Sequence, residues 1–121
     1  MPVSDYSRGE IAEWMGGISS MPATGTRYLA LYDDNGDEVT GGSYARKACD
    51  FDTTGTPGVV ETAAALTYPN MPAVTVESAA LHDAVTAGNR LTAVTAVSTP
   101  KTFTAGMVAV VEAGDCTYTQ T

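Results

Sequence analysis

Apolar residues near the amino terminus recur at the spacing of a helix. The positions i, i+3, i+4 and i+7 are taken by Ile11, Trp14, Met15 and Ile18. This pattern predicts one apolar stripe along a short helix. Residues 7–10 have the sequence Ser-Arg-Gly-Glu, which matches a capping box and predicts that the helix begins there. We therefore predict an N-terminal amphipathic helix within an arm that spans residues 1–22.

The apolar stripe of this helix has two interpretations. In the first, the stripe covers one end of a β-sheet and belongs to the core. In the second, Trp14 anchors the helix on a partner protein, because tryptophan is enriched where binding energy concentrates in interfaces. The sequence leaves both open, and the candidate partner-binding residues are Ile11, Trp14, Met15 and Ile18.

After Arg27 the pattern changes to short apolar and β-branched runs separated by turn residues, which is typical of strands. The predicted strands lie at residues 27–32, 46–51, 59–68, 75–82, 90–97, 107–111 and 116–119. Asn35-Gly36 supplies the positive φ angles that a tight hairpin turn requires. Short strands at this spacing predict an all-β antiparallel sandwich of jelly-roll type over residues 27–120. With 121 residues, we expect a single domain, 1–121.

Composition and charge exclude several classes of function. Hydrophobic residues make up 44% and charged residues 17%, which indicates a globular chain. Only six lysines and arginines stand against a net charge of −8, so we expect no binding to nucleic acid. No apolar run is long enough to cross a membrane. The amino terminus has no secretory signal, and we expect synthesis in the cytoplasm of the cell that makes the protein.

Two cysteines, Cys49 and Cys116, lie far apart without metal-ligand spacing. Each has an aromatic residue two positions later in a predicted strand, so we interpret both as small hydrophobic residues of the core. A disulfide between them is the alternative, which a reducing compartment disfavours. We predict that both are unpaired and at least partly buried.

The remaining polar motifs give little support for chemistry. His82 is the sole histidine, and Asp83 beside it would point to the opposite face of a strand. The acidic run of residues 33–38 has oxygen ligands that suit calcium, but Tyr44 stands where an EF-hand needs an acidic residue. An acidic hairpin turn is the simpler interpretation. We therefore predict no catalytic residues, no metal and no cofactor.

Several blocks of sequence follow one another in a recognisable order. They are Tyr28-Leu29-Ala30-Leu31-Tyr32, Gly41-Gly42-Ser43-Tyr44-Ala45-Arg46, a strand ending at Phe51, Leu81-His82-Asp83-Ala84, Gly88-Asn89-Arg90-Leu91 and residues 99–106. In this order the chain resembles a family of small phage virion proteins described as tail-fibre-like or head-decoration proteins. The resemblance covers most of the chain, from about residue 4 to residue 119.

The resemblance implies a structural role on a virus particle. The main expectation is a capsid decoration or cement protein that binds the phage major capsid protein, stabilises the head and lies on the capsid surface of the virion. We also expect a homo-oligomer, with a trimer favoured because capsid lattices offer local threefold positions. The alternative is a tail-fibre or tail-associated module that recognises the host.

Overall fold

The computed structural model describes residues 2–21, 25–114 and 116–119. Within these ranges one helix precedes nine strands. Helix α1 spans Asp5–Met15. The strands are β1 (Arg27–Asp33), β2 (Lys47–Cys49), β3 (Phe51–Thr53), β4 (Val59–Thr62), β5 (Leu66–Tyr68), β6 (Val74–His82), β7 (Thr95–Phe103), β8 (Ala109–Val111) and β9 (Thr117–Thr119).

The strands form three antiparallel sheets. Their orders are β2-β1-β6-β7, β3-β4-β9 and β5-β8. The prediction of an all-β antiparallel domain with one short N-terminal helix is thereby confirmed for the described residues. The jelly-roll subtype stays a prediction.

One apolar core contains residues that lie in, or next to, strands of all three sheets. It includes Leu31 of β1, Leu66 of β5, Ala109 of β8 and Cys116 just before β9. Strand β1 is buried on both faces, since Ala30 packs in a second, smaller cluster on the other face. This double burial explains why the sequence of β1 is almost continuously apolar.

Two predicted strands have different bounds because the chain passes from one sheet to another within them. The predicted strand 46–51 breaks at Asp50 into β2 and β3, which belong to different sheets. The predicted strand 59–68 likewise divides into β4 and β5. Local residue preferences cannot predict such a change of pairing partner, because each half is a good strand by itself.

The predicted strand 90–97 is shifted toward the carboxyl terminus. Arg90 and Thr92 form only isolated bridges, and the regular strand β7 begins at Thr95. It continues through Pro100, which has no backbone N–H to donate. β7 lies at the edge of its sheet, and its register shifts between Val76 and Ser78 of β6 at the level of Pro100. An edge bulge is where a strand tolerates proline.

The helix also differs from its prediction. It begins at Asp5 and is capped by Ser4, whose hydroxyl accepts a hydrogen bond from the Ser7 N–H at 3.2 Å. It ends at Met15 with Gly16 as its C-cap, so Ile18 lies beyond it. The predicted cap at Ser7 is therefore wrong by about one turn. No helix among the described residues has the length and apolar character needed to span a membrane.

Candidate partner-binding surface

Hydrogen bonds fasten the start of the helix to the β6–β7 connection. The Ser4 N–H donates to the Leu91 carbonyl at 3.0 Å, and the Ser7 hydroxyl donates to the same carbonyl at 2.7 Å. Val3 forms a bridge with Thr92, and the Ala93 N–H donates to the Pro2 carbonyl at 2.9 Å. The helix is thus held at its amino-terminal end rather than by an apolar stripe.

The apolar side chains toward the other end of the helix are exposed. The exposed fractions are 54% for Trp14, 76% for Met15 and 79% for Ile18. We call these three residues the helix face; Ile18 belongs to the segment just after the helix end. Ile11 is half-buried, and no residue of the helix is fully buried. The structure therefore brings Ile11 toward the body of the protein but leaves the other three predicted site residues facing outward.

Met21 is a further exposed apolar residue of the arm, with 45% of its area accessible. Sequence analysis did not include it among the candidate residues because it lies outside the helical repeat. Because these large exposed apolar side chains lie within one short stretch of chain, this end of the arm is a candidate interaction surface.

A groove of about 570 Å³ separates the other side of the helix from the strand ends. Its apolar lining includes Ile11, Phe51 and Leu91, while Arg27 and Asp83 add charged groups. The volume lies within the range of small-molecule sites. Nothing in its lining favours one chemical class of occupant over another.

Residues 41–46, the most recognisable block in the sequence, form a loop that fastens the chain to itself. The Ser43 N–H donates to the Asn70 carbonyl at 3.0 Å, and the Asn70 amide donates to the Ser43 hydroxyl at 2.9 Å. Gly42 has a φ of +56°, and a Cβ there would collide with the Asn70 carbonyl oxygen. Only glycine fits this close approach without strain.

Tyr44 carries the loop into the protein interior. Its hydroxyl donates to the Glu38 carboxylate at 2.9 Å and accepts from the Leu31 N–H at 2.9 Å. Its ring stacks on Tyr68 with centroids 6.0 Å apart, and the Tyr68 hydroxyl donates to the Leu29 carbonyl at 2.8 Å. Burial raises the pKa of Tyr44 well above its ordinary value, so the phenol stays protonated and remains a donor.

Arg46 completes the loop with four hydrogen bonds. Its guanidinium donates to both oxygens of Glu38, at 2.9 and 2.8 Å. It also donates to the carbonyls of Ala84 and Ala87, each at 2.9 Å. Burial acts to raise the pKa of Glu38, but hydrogen bonds from Arg46 and Tyr44 outweigh it and the pKa is lowered. These bidentate contacts identify the loop as a structural joint.

The other polar candidates also have internal roles. In the acidic turn, Asp33 accepts from the N–H groups of Asn35 and Asp37, at 2.9 and 3.0 Å. This is the behaviour of a turn-capping carboxylate. Across the described ranges, no group of three or more metal-ligating side chains is positioned to hold an ion.

Both cysteines are free and buried, which confirms the prediction for their placement. They belong to the shared apolar core, with Cys49 3% exposed and Cys116 8% exposed. Burial, together with the neighbouring Cys116 sulfur, raises the pKa of Cys49 to about 12. Such thiols are unreactive at neutral pH.

The fold and these surfaces define a class: a small β-structural domain whose most recognisable polar loop, residues 41–46, makes internal hydrogen bonds and whose exposed helix face is apolar. A family model described as podophage GP4 fiber I protein gp80 matches residues 2–119. The chain therefore belongs to this family of phage virion proteins. No curated protein matches the chain. The virion class expected from the resemblance is thereby confirmed.

Proposed function

We propose that the protein is a structural component of a podophage tail fibre, incorporated into the particle through its helix face. The observation that carries this proposal is the match to a fibre protein family over nearly the whole chain, residues 2–119. Our main expectation from sequence, a capsid decoration protein, is less well supported by that family description.

The helix face supplies the physical basis for incorporation. Trp14, Met15 and Ile18 expose most of their area, and burying large apolar side chains drives protein association. The helix is fastened at its other end by Ser4 and Ser7, so the face is presented without being needed for the core. The partner would be a neighbouring virion protein or another copy of this chain, with a homotrimer as the favoured symmetric form.

Capsid decoration is the second candidate. The order of sequence blocks from residue 28 to residue 106 supports it, since the resemblance includes head-decoration proteins. In that case the helix face would bind the major capsid protein and stabilise the assembled head by mass action. A host-recognition role is a variant of the fibre proposal, in which the groove beside the helix would contact the receptor.

Location on the particle distinguishes these candidates. Electron microscopy of virions labelled with gold-coupled antibodies should place the protein on the tail, in few copies per particle. Labelling distributed over the head would overturn the fibre proposal in favour of decoration. Complete absence from purified virions would overturn both.

A further inference from the structure

A second polar cluster surrounds the only histidine of the chain. His82 is 6% exposed, and its Nε2 lies 2.8 Å from the Tyr32 hydroxyl. The rings of these two residues are stacked, with centroids 6.3 Å apart. The other ring nitrogen, Nδ1, is buried and has no hydrogen-bond partner among the described residues. Protonation of this ring is unfavourable, because the charge would be buried and the Nδ1–H would have no hydrogen-bond acceptor.

The surroundings of His82 come from three parts of the chain. Isolated β-bridges place Glu38 of the β1–β2 loop opposite Tyr32, and Arg90 of the β6–β7 connection opposite His82. The charges of Glu38, Arg46, Asp83 and Arg90 act on the imidazole. Tyr32 reaches it from β1 through the contact between its hydroxyl and Nε2. We call Tyr32, Glu38, Arg46, His82 and Arg90 the His82 joint.

We propose that the His82 joint is an acid-sensitive link between the β1–β2 loop and the β6–β7 connection, which loosens when His82 takes up a proton. The link is strong at neutral pH because Arg46 binds Glu38 on one side and the carbonyls of Ala84 and Ala87 on the other. Protonation of the buried imidazole would add a third cation near the guanidinium groups of Arg46, which is partly buried, and Arg90, which is exposed. Glu38 and Asp83 offset only part of that repulsion.

The direction of the pKa shift agrees with this geometry. Burial lowers the pKa of His82, Arg46 and Arg90 lower it further, and Glu38 and Asp83 act in the opposite sense. The folded protein therefore binds this proton less readily than the unfolded chain, whose histidine titrates near about 6.5. Stability is thus full above that pH and falls as the pH decreases toward the folded-state pKa.

The single histidine makes the test direct. We expect NMR titration of the folded protein to give an imidazole pKa below about 6.5. A value at or above that figure would overturn the proposal. Between pH 7.0 and 5.5, the equilibrium constant for unfolding should rise by up to about tenfold per pH unit. His82→Gln should remove this dependence, and an unchanged dependence in that variant would contradict the proposal.

A second pair of variants keeps the test valid even if His82→Gln fails to fold. Arg90 is exposed, so Arg90→Gln should fold, and removing its charge should raise the imidazole pKa of His82. Arg8→Gln is the matched control, because Arg8 pairs with Asp5 on the helix and should leave that pKa unchanged. If the imidazole pKa of His82 were the same in Arg90→Gln and Arg8→Gln, the role assigned to Arg90 in the His82 joint would be wrong.

Discussion

The loop of residues 41–46 and the N-terminal helix both stand out in the sequence, but they use their side chains in opposite ways. Tyr44 and Arg46 direct their polar groups inward to Glu38 and to backbone groups of other segments. Trp14 and Met15 direct apolar surface outward. A recognisable motif can therefore mark either an internal joint or a partner surface, and only its contacts distinguish the two.

The comparison implies that substitutions in the loop should damage folding, while substitutions on the helix face should damage assembly. Three variants, ordered from the largest expected effect on stability to the smallest, test this separation.

Arg46→Ala should have the largest effect. The Arg46 side chain is 10% exposed and that of Glu38 is 27% exposed, so removing the guanidinium leaves a largely buried carboxylate unpaired. Breaking such a pair costs about 3 kcal/mol of unfolding free energy. Chemical denaturation followed by circular dichroism would measure the change.

The helix offers a matched control for this variant. Arg8 pairs with Asp5, and their side chains are 68% and 96% exposed. Exposed pairs contribute little, so Arg8→Ala should cost less than about 1 kcal/mol. If both arginine variants lost the same stability, the 41–46 loop would not be the joint that the contacts indicate.

Gly42→Ala should have the next largest effect. A side chain at this φ of +56° is strained, and its Cβ would also collide with the Asn70 carbonyl. We expect a loss of about 2 kcal/mol or more, from strain and displacement together. Gly55→Ala separates the two causes, because Gly55 has a φ of +87° but open space around its Cα. The thermal midpoint of Gly42→Ala should therefore fall further than that of Gly55→Ala.

Much of the fold follows from local patterns, and the two predicted strands that divide share one cause of error. Strands β1 and β6 lie close to their predicted positions because their apolar runs are long and bounded by turn residues. Residues 59–68 were predicted as one strand because nothing local shows that β4 joins β9 while β5 joins β8. Pairing across distant segments is decided by tertiary contacts, which residue preferences do not contain.

The candidate site was likewise predicted where it depends on local pattern and missed where it depends on contacts between distant residues. Periodicity identified Trp14, Met15 and Ile18 as one apolar set, and the structure shows them exposed. The contacts of Arg46 with Glu38 and Ala84 could not be predicted, because they join residues that are distant in sequence. The sole signal was the Gly41-Gly42 pair, which indicated a turn but not what it approaches.

Trp14→Ala should have the smallest effect on folding and the most selective effect on assembly. The Trp14 side chain is 54% exposed, and alanine is a better helix former, so the unfolding free energy should change by less than about 1 kcal/mol. If the helix face anchors the protein in the particle, losing the indole should cost about 2 kcal/mol of binding, or roughly thirtyfold in affinity. Quantitative mass spectrometry of virions assembled with the variant would report fewer copies per particle. Val108→Ala is the control, since Val108 is 51% exposed on another part of the surface and should leave the copy number unchanged. Normal incorporation of Trp14→Ala would show that the exposed helix face is not the attachment surface. A large loss of stability would show that Trp14, like Arg46 in the 41–46 loop, serves folding rather than assembly.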